Sequence, residues 1–409
     1  MEVVSFDSLA HAVGVLKAAS SPTSPIKRVL EVTAKNTTLA SSGLLDKAGE
    51  LGEKAASSSR LGRIFKSFSD EPITDKLALP EQVVDEHFAQ INELTHVNEA
   101  GTIPLDSMLM MLSQLYGQLD AVSGGFGQDA ISLVKGGGGA EVIMRLQVEA
   151  ARQPEPLRGW LLAFVGNTRS VTLANAREQI NREWQATVYP ECRAAINGRY
   201  PFSKDSDREV TLADFGRLFR PNGLVDSFYL EQLKPFTEVR GGRRRWKNVN
   251  GMGIGMPDAV LRLFQRAASI KNMFFQGGGD KPEIPFKMKP VYLDANVNAV
   301  NLNLEGQIFS YRHGPQFLQS ASWPNPDSTG TVRLEFIDDS GNRLVRKFEG
   351  PWAWFRLLSE SELKSKTGDI ALVTFEHRGR RSTWELHAQS VENPFLMSQF
   401  GQFYCPERL

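Results

Sequence analysis

The chain has 409 residues, of which 41% are hydrophobic and 23% are charged, a composition typical of an ordinary soluble globular protein. Its 47 basic residues balance its 47 acidic residues, so bulk attraction to nucleic acid or anionic lipid is not expected. The longest apolar runs, such as Trp160–Val165, are far shorter than the roughly 20 residues needed to cross a bilayer. The first residues form an amphipathic pattern without the features of a signal peptide, and composition alone therefore favours the cytoplasm.

The first 275 residues are predicted to be helical, because apolar positions recur there at helical spacing. The predicted helices are Phe6–Ala18, Pro25–Thr38, Pro80–Asn92, Leu105–Val122, Gln128–Arg152, Leu157–Asn197 and Asp258–Phe275. Residues 41–78 interrupt this pattern with serine, glycine, alanine and charge, which predicts a flexible insertion. The four glycines Gly136–Gly139 predict a mobile hinge, since such a run is costly to hold in a helix.

The pattern changes at residues 277–285, a cluster of glycine, proline and charge that predicts a domain boundary. Seven or eight short segments with alternating polarity follow, as is typical of a β-sandwich. The predicted strands are Phe286–Tyr292, Val297–Leu304, Gln307–Arg312, Thr331–Ile337, Leu344–Phe348, Asp369–Glu376 and Ser382–His387. The fold class is therefore α+β and multidomain, with an N-terminal all-helical region followed by a C-terminal β-sandwich domain. The predicted domains are 1–78, a helical segment with the insertion, 79–276, a helical domain, and 285–409, the β-sandwich.

Neither glycine-rich segment makes a convincing phosphate site. Gly136–Gly139 lacks the lysine and hydroxyl that complete a Walker A loop, and Glu141 would lie near the phosphates. The segment Gly251–Met256 satisfies only part of a dinucleotide fingerprint, and no strand is predicted before it. We therefore expect no nucleotide and no other cofactor.

The search for a catalytic or metal site is also negative. The six histidines are scattered. His377 and His387 lie on neighbouring predicted strands and are able to approach each other across a hairpin, but the favoured interpretation is that they are separate, exposed surface residues. Cys192 and Cys405 are too few for a zinc site or a disulfide framework. They are either two free thiols or, in an oxidising compartment, a pair that links two domains. No G-x-S-x-G segment is present, and the chain is predicted not to be an enzyme.

One dense basic segment, Arg240–Lys247, contains a tryptophan between its charges. Its functional interpretation is contact with an anion, a phospholipid or a protein partner. The alternative, which the sequence favours, is a solvated loop between two helices.

Residues 198–236 read GRYPFSKDSDREVTLADFGRLFRPNGLVDSFYLEQLKPF, a loop and two short helices with many aromatic residues. Thr211 and Asp214 resemble a capping box that begins the first helix. The segment closely resembles the C-terminal region of the TssM/IcmF family of type VI secretion proteins, which carries GRYPF, REV–DF and LxPF elements in this order. The segment Gly350–Leu358 resembles the family's GPWAxFRLL element. The resemblance is strong from about residue 160 onwards.

The resemblance implies a location and a set of partners. Proteins of this family are inner-membrane proteins with a large periplasmic region, so this chain would be a periplasmic fragment that lacks the membrane helices. The end of that region binds an outer-membrane TssJ-like lipoprotein. The family also associates with a TssL-like inner-membrane protein, and the full-length protein self-associates in the complex.

The leading hypothesis is a structural scaffold that docks this lipoprotein through its β-sandwich. Aromatic and arginine side chains anchor interfaces, and the predicted partner-binding residues are therefore Tyr311, Trp323, Arg378 and Arg380. The alternative is an envelope enzyme such as a peptidoglycan hydrolase, and a third hypothesis is a nucleotide-responsive module. Partners that are nucleic acids are not expected.

Overall fold

The computed structural model describes residues 5–38, 80–123, 131, 138–249, 252–325, 330–390, 392–396 and 400–409. The predicted insertion at 41–78 and the first two glycines of Gly136–Gly139 lie outside these residues. Gly138 and Gly139 begin a helix, so the prediction of a hinge or loop is wrong for these two glycines. The chain divides into two compact units, Met1–Ala176 with Val249–Met252, and Arg177–Asn248 with Gly253–Leu409. The predicted boundary at 277–285 falls within the second unit, and the predicted domain limits stay a prediction.

The described part of the first unit is helical, apart from the strand residues Val249 and Met252. Its helices are α1 (Leu9–Ser20), α2 (Pro25–Thr37), α3 (Pro80–Thr95), α4 (Pro104–Ser123), α5 (Gly138–Ala151) and the beginning of α6 (Leu157–Glu183), within which the division between the units falls. Ser8 caps α1 by accepting a hydrogen bond from the backbone N–H of His11 at 3.1 Å. The predicted helices in this part are therefore confirmed, with α5 described only from Gly138.

Leucine side chains from successive helices form the core of the first unit. Leu16 of α1, Leu112 and Leu115 of α4, Leu146 of α5 and Leu161 of α6 are all buried in one cluster. Leu109, Leu112, Leu115 and Leu119 recur at helical spacing on α4, and the face that they form enters this cluster.

The second unit begins with helices and continues with two short antiparallel strands. Its helices are the end of α6, a π-helical turn at Trp184–Val188, α7 (Tyr189–Ile196), α8 (Leu212–Phe219), α9 (Leu224–Phe228), a second π-helical turn at Tyr229–Leu233 and α10 (Asp258–Phe274). The N–H of Asp214 donates to the hydroxyl of Thr211 at 3.0 Å, which confirms the predicted cap of α8.

The basic segment is a β-hairpin, so its interpretation as a loop between two helices is wrong. Strand β1 (Thr237–Arg240) pairs with β2 (Arg243–Trp246) around Gly241 and Gly242, both of which have positive φ. Their φ values suit glycine and allow the tight turn. The short strands β3 (Asn248–Val249) and β4 (Met252–Gly253) follow. Three arginines in succession, Arg243–Arg245, hide the alternation by which strands are predicted.

Nine further strands form the β-sandwich of the second unit. They are β5 (Ile284–Leu293), β6 (Val297–Leu304), β7 (Gln307–Tyr311), β8 (Gln319–Trp323), β9 (Thr331–Asp338), β10 (Arg343–Glu349), β11 (Glu362–Ser365), β12 (Ile370–His377) and β13 (Arg380–Ala388). One antiparallel sheet has the order β10-β9-β6-β7, and the other has the order β11-β12-β13-β5-β8. The rings of Tyr311 in the first sheet and Trp384 in the second make an edge-to-face contact, with their centroids 6.5 Å apart. The two sheets therefore face each other.

A cluster of aromatic rings joins the helices of the second unit to its sandwich. Phe274 of α10 contacts Trp323 of β8, and Phe215 of α8 contacts Trp352 at a centroid distance of 5.2 Å. Trp352 precedes the short helix α11 (Ala353–Ser359), and all of these rings are buried. The burial of so much aromatic surface stabilises one fixed arrangement of helices and sheets within this unit.

Candidate partner-binding surface

The sequence elements that carry the family resemblance contact one another in the second unit. Arg356 of α11 forms an ion pair with Glu209, and both side chains are largely buried. The Arg356 guanidinium lies 4.3 Å from the ring centre of Tyr200. The Trp352 indole N–H donates to the carbonyl of Val210 at 2.7 Å, and its backbone N–H donates to Glu209. We name this arrangement, Tyr200, Glu209, Val210, Trp352 and Arg356, the motif joint. It links the helices to the sandwich.

The chemistry of the motif joint is structural. Burial raises the pKa of the Tyr200 hydroxyl to about 12, so this group stays neutral at physiological pH. The Glu209 carboxylate is occupied by the Arg356 guanidinium and the Trp352 N–H. The Arg356 guanidinium also donates to the carbonyl of Ser206 at 3.0 Å. These groups are therefore engaged in fixed contacts, and the joint has a structural role.

Three turns and one longer connecting segment meet at one end of the sandwich; two of the turns close the β9–β10 and β12–β13 hairpins, and the third joins β5 to β6 of the other sheet. We name this region, residues 294–296, 312–318, 338–342 and 377–380, the turn end. The N–H of Asp339 donates to the carbonyl of Asn296 at 3.1 Å, which holds two of the turns together. The N–H of Arg381, just beyond the β12–β13 turn, donates to the Asp294 carboxylate at 2.8 Å. Hydrogen bonds between these segments therefore hold the turn end together.

Charges at the turn end are arranged around Asp338. Hydrogen bonds from the side chain and N–H of Asn342 and from the N–H of Ser340, with the nearby Arg380 guanidinium, hold the pKa of Asp338 below its ordinary value. Arg380 Nη2 lies 3.8 Å from Asp338 Oδ2. Desolvation, together with Arg346 and Arg378, lowers the pKa of His377 from its ordinary value of 6.5, so its imidazole is neutral at pH 7.

Apolar side chains are exposed beside these charges. Phe317 is 66% exposed, and Leu318 and Tyr292 are each 47% exposed. The Gln316 side chain donates to the Val291 carbonyl at 2.9 Å and so anchors the segment before β8 against β5. Aromatic and aliphatic side chains held in this way form a preformed apolar patch, which is a recognised mark of a protein interface.

The structure brings three of the four predicted partner-binding residues to the turn end. Arg378 is exposed in the β12–β13 turn, Arg380 contacts Asp338, and Tyr311 lies at the end of β7 with its ring mostly buried. Trp323 is fully buried in the aromatic cluster. The prediction that these residues bind a partner stays a prediction. Phe317, Leu318 and Tyr292 did not stand out in the sequence, because Phe317 and Leu318 follow a polar stretch without periodicity.

The two histidines of the β12–β13 hairpin lie at its opposite ends. His377 pairs with Arg380, next to the turn, whereas His387 pairs with Ile370 at the other end of the same hairpin. The tight turn fixes this register, so the possibility that the two side chains meet is excluded. His387 instead contacts Glu385 at 2.9 Å. Among the described residues, no group of three or more His, Cys, Asp or Glu side chains is placed to hold a metal ion.

The two cysteines form a disulfide bond, with their Cα atoms 6.1 Å apart. Cys192 lies in α7 and Cys405 in the last residues of the chain, so the bond connects two segments of the second unit. This resolves the alternatives that the sequence left open. No helix in the described ranges is both long and apolar enough to span a membrane.

Comparisons with known proteins match both parts of the second unit. The type VI secretion protein IcmF helical domain matches residues 175–280, and the IcmF C2-like domain matches residues 286–390. The whole chain is 33% identical to the type VI secretion system component TssM1 of Pseudomonas aeruginosa over an alignment of 419 residues. The chain spans 38% of the length of that relative.

Solved structures share the fold at lower identity. A chain of a type VI secretion system membrane core complex is similar with a TM-score of 0.69 and 17% identity, over 98% of this chain and 78% of that chain. The C-terminal domain of TssM from EAEC is similar with a TM-score of 0.50 and 20% identity, over 57% of this chain and 98% of that chain. The family-domain matches and the full-length similarity agree with the motifs, and the chain therefore belongs to the TssM/IcmF family of type VI secretion proteins.

Proposed function

We propose that this chain is a non-enzymatic scaffold in the periplasm, and that its turn end docks an outer-membrane TssJ-like lipoprotein. A TssL-like inner-membrane protein and further copies of the full-length protein are the other proposed partners. Similarity to TssM1 and to chains of type VI membrane complexes supports a structural role in such a complex. The proposed location rests on this kinship.

The observation that carries the docking proposal is the exposed apolar patch formed by Tyr292, Phe317 and Leu318. Large apolar side chains are costly to expose, and a patch flanked by charged residues is typical of a protein interface. Arg378 and Arg381 flank it and are exposed, so they are available to contact carboxylates at the rim. The patch lies on β5 and on turns that hydrogen bonds hold together. Binding therefore requires little loss of conformational entropy in these segments.

The motif joint supports a scaffold role. A lipoprotein bound at the turn end would exert mechanical force on the sandwich. The buried Glu209–Arg356 pair and the Trp352 contacts connect the sandwich to the helices of the second unit and would transmit that force. A component that positions other proteins requires such a rigid connection, whereas a catalyst requires a reactive group in a cleft.

The docking proposal is tested by titrating the purified chain with the soluble domain of its cognate TssJ-like lipoprotein in a calorimeter. We expect Phe317→Glu to raise the Kd at least 30-fold, because a central apolar anchor contributes about 2 kcal/mol or more. Because Phe317 is exposed, we expect Phe317→Glu to change the free energy of unfolding by no more than about 0.5 kcal/mol. Thermal unfolding of the variant checks this.

Ile308→Ser is the matched control, because Ile308 is 68% exposed but lies at the start of β7, away from the turn end. We expect it to leave the Kd unchanged. The docking proposal is contradicted if the unaltered chain shows no binding at tens of micromolar. It is also contradicted if Ile308→Ser weakens binding as much as Phe317→Glu does.

A further inference from the structure

A basic cleft of about 690 Å³ lies between β2 and α10 in the second unit. All four residues of β2, Arg243–Trp246, line one wall, and α10 supplies the opposite wall from Asp258 to Ser269. Since no residue of β1 lines the cleft, it lies on the side of β2 that faces away from β1. The cleft is therefore bounded by one strand edge and one helix.

The cleft carries an excess of positive charge. Five arginines line it against two carboxylates, those of Asp258 and Glu392. The side chains of Arg243, Arg245 and Arg262 make no hydrogen bond or ion pair with the described part of the chain. Guanidinium groups are planar donors that match carboxylates in a bidentate geometry. Three arginines are therefore available to an acidic ligand.

The other two arginines have structural partners. Arg244 donates to the Phe264 carbonyl at 3.3 Å and lies 4.0 Å from the ring centre of Tyr229. Arg266 donates to the Gln402 carbonyl at 2.8 Å. These contacts hold β2 and α10 in place, so the cleft is preformed.

The edge of β2 that faces the cleft has no strand paired with it among the described residues. β2 pairs with β1 on one side, and no other described strand pairs with it. The buried indole N–H of Trp246 also has no hydrogen-bond partner among the described residues. An unpaired strand edge beside a helix is the arrangement that accepts an extended peptide by strand addition.

We propose that this cleft binds an extended acidic segment of a protein partner, which pairs with the edge of β2 as a third strand. Arg243 and Arg245 lie two residues apart on the same face of β2, about 7 Å from each other along the strand. Acidic residues at every second position of the segment match this spacing, and Arg262 of α10 contacts them from the opposite wall. Asp258 and Glu392 disfavour dense polyanions such as nucleic acid or polyphosphate.

The test uses the full chain and a fluorescein-labelled, eight-residue peptide that alternates Glu and Thr, with fluorescence anisotropy as the readout. A second peptide has the same side chains but methylated backbone nitrogens, and inorganic polyphosphate is the third probe. We expect the first peptide to bind at least tenfold more tightly than the methylated one. Strand addition requires free backbone N–H groups, which the methylated peptide lacks.

Arg240→Glu is the matched control for Arg243→Glu and Arg245→Glu. Arg240 is on the same hairpin but does not line the cleft, and it pairs with Glu238 at 2.8 Å. All three variants change the net charge equally, so long-range attraction changes equally. We expect the two cleft variants to raise the Kd of the Glu–Thr peptide at least tenfold more than the control does.

Three results would overturn this proposal. Equal binding of the methylated peptide excludes strand addition, and tighter binding of polyphosphate than of the peptide identifies a general anion site. An Arg240→Glu effect as large as that of Arg243→Glu excludes the cleft as the binding site. Circular dichroism of each variant establishes that the fold is retained.

Discussion

At the level of single residues, Gly350 shows how the buried Glu209 carboxylate restricts which residues fit around it in the motif joint. Its φ of +109° is unfavourable for any side chain, and a Cβ atom there would lie 2.5 Å from Glu209 Oε2. The same carboxylate accepts hydrogen bonds from the N–H of Trp352 and from Arg356. The glycine, tryptophan and arginine of the segment Gly350–Leu358 are therefore explained by their fit around Glu209.

Glu209→Ala is expected to lower the free energy of unfolding by about 3 kcal/mol, because it leaves the buried Arg356 charge without its partner. Glu362→Ala is the control, since Glu362 pairs with Lys364 on the surface and is 59% exposed. Its expected cost is below about 1 kcal/mol. Urea unfolding followed by circular dichroism measures both. Equal losses in the two variants would contradict a special role for the joint.

At the level of elements, strands with regular alternation were predictable, and two short edge strands were not. The strand predictions for β5, β6, β7, β9, β10, β12 and β13 are confirmed, because these segments alternate buried with more exposed residues over much of their length. β8 and β11 were missed. Both lie at sheet edges, and the short sequences QSASW and ELKS contain too few apolar residues to reveal a period of two.

The candidate surface was less predictable than the fold. Tyr311 and Trp323 were chosen for their residue type, yet both are buried because tertiary contacts across the sandwich and the aromatic cluster cover them. Phe317 and Leu318 lie in a segment that is held along β5, and their side chains are exposed there. Which apolar residues stay at the surface depends on contacts between distant segments, and a single sequence does not display these contacts.

The last residues of the chain form an element of their own that lies along α6 and α7. The Trp184 indole N–H donates to the Pro406 carbonyl at 2.7 Å, and the Leu409 N–H donates to Asn181 Oδ1 at 2.7 Å. The disulfide between Cys192 and Cys405 closes a sequence separation of 213 residues. A covalent link across so long a loop restricts the unfolded chain strongly.

Replacing both cysteines, Cys192→Ala with Cys405→Ala, is expected to lower the free energy of unfolding by about 2–4 kcal/mol. Adding a reductant to the unaltered chain is expected to lower its urea midpoint similarly, while the double variant does not respond. A midpoint that is insensitive to reductant in the unaltered chain would show that the bond contributes nothing to stability in solution.

At the level of the whole molecule, the second unit contains every feature to which a function is proposed here. The motif joint, the turn end, the basic cleft and the disulfide all lie within Arg177–Asn248 and Gly253–Leu409. Both family-domain matches, residues 175–280 and 286–390, fall almost entirely within the same unit. The first unit has a separate leucine-rich core.

This separation predicts that residues 177–409 fold without the first unit. The aromatic cluster, the motif joint and the disulfide of this fragment require no residue of the first core. We expect the oxidised fragment to unfold cooperatively, with a urea midpoint that still falls on adding a reductant. A fragment without a cooperative transition would mean that the second unit depends on the first for its stability.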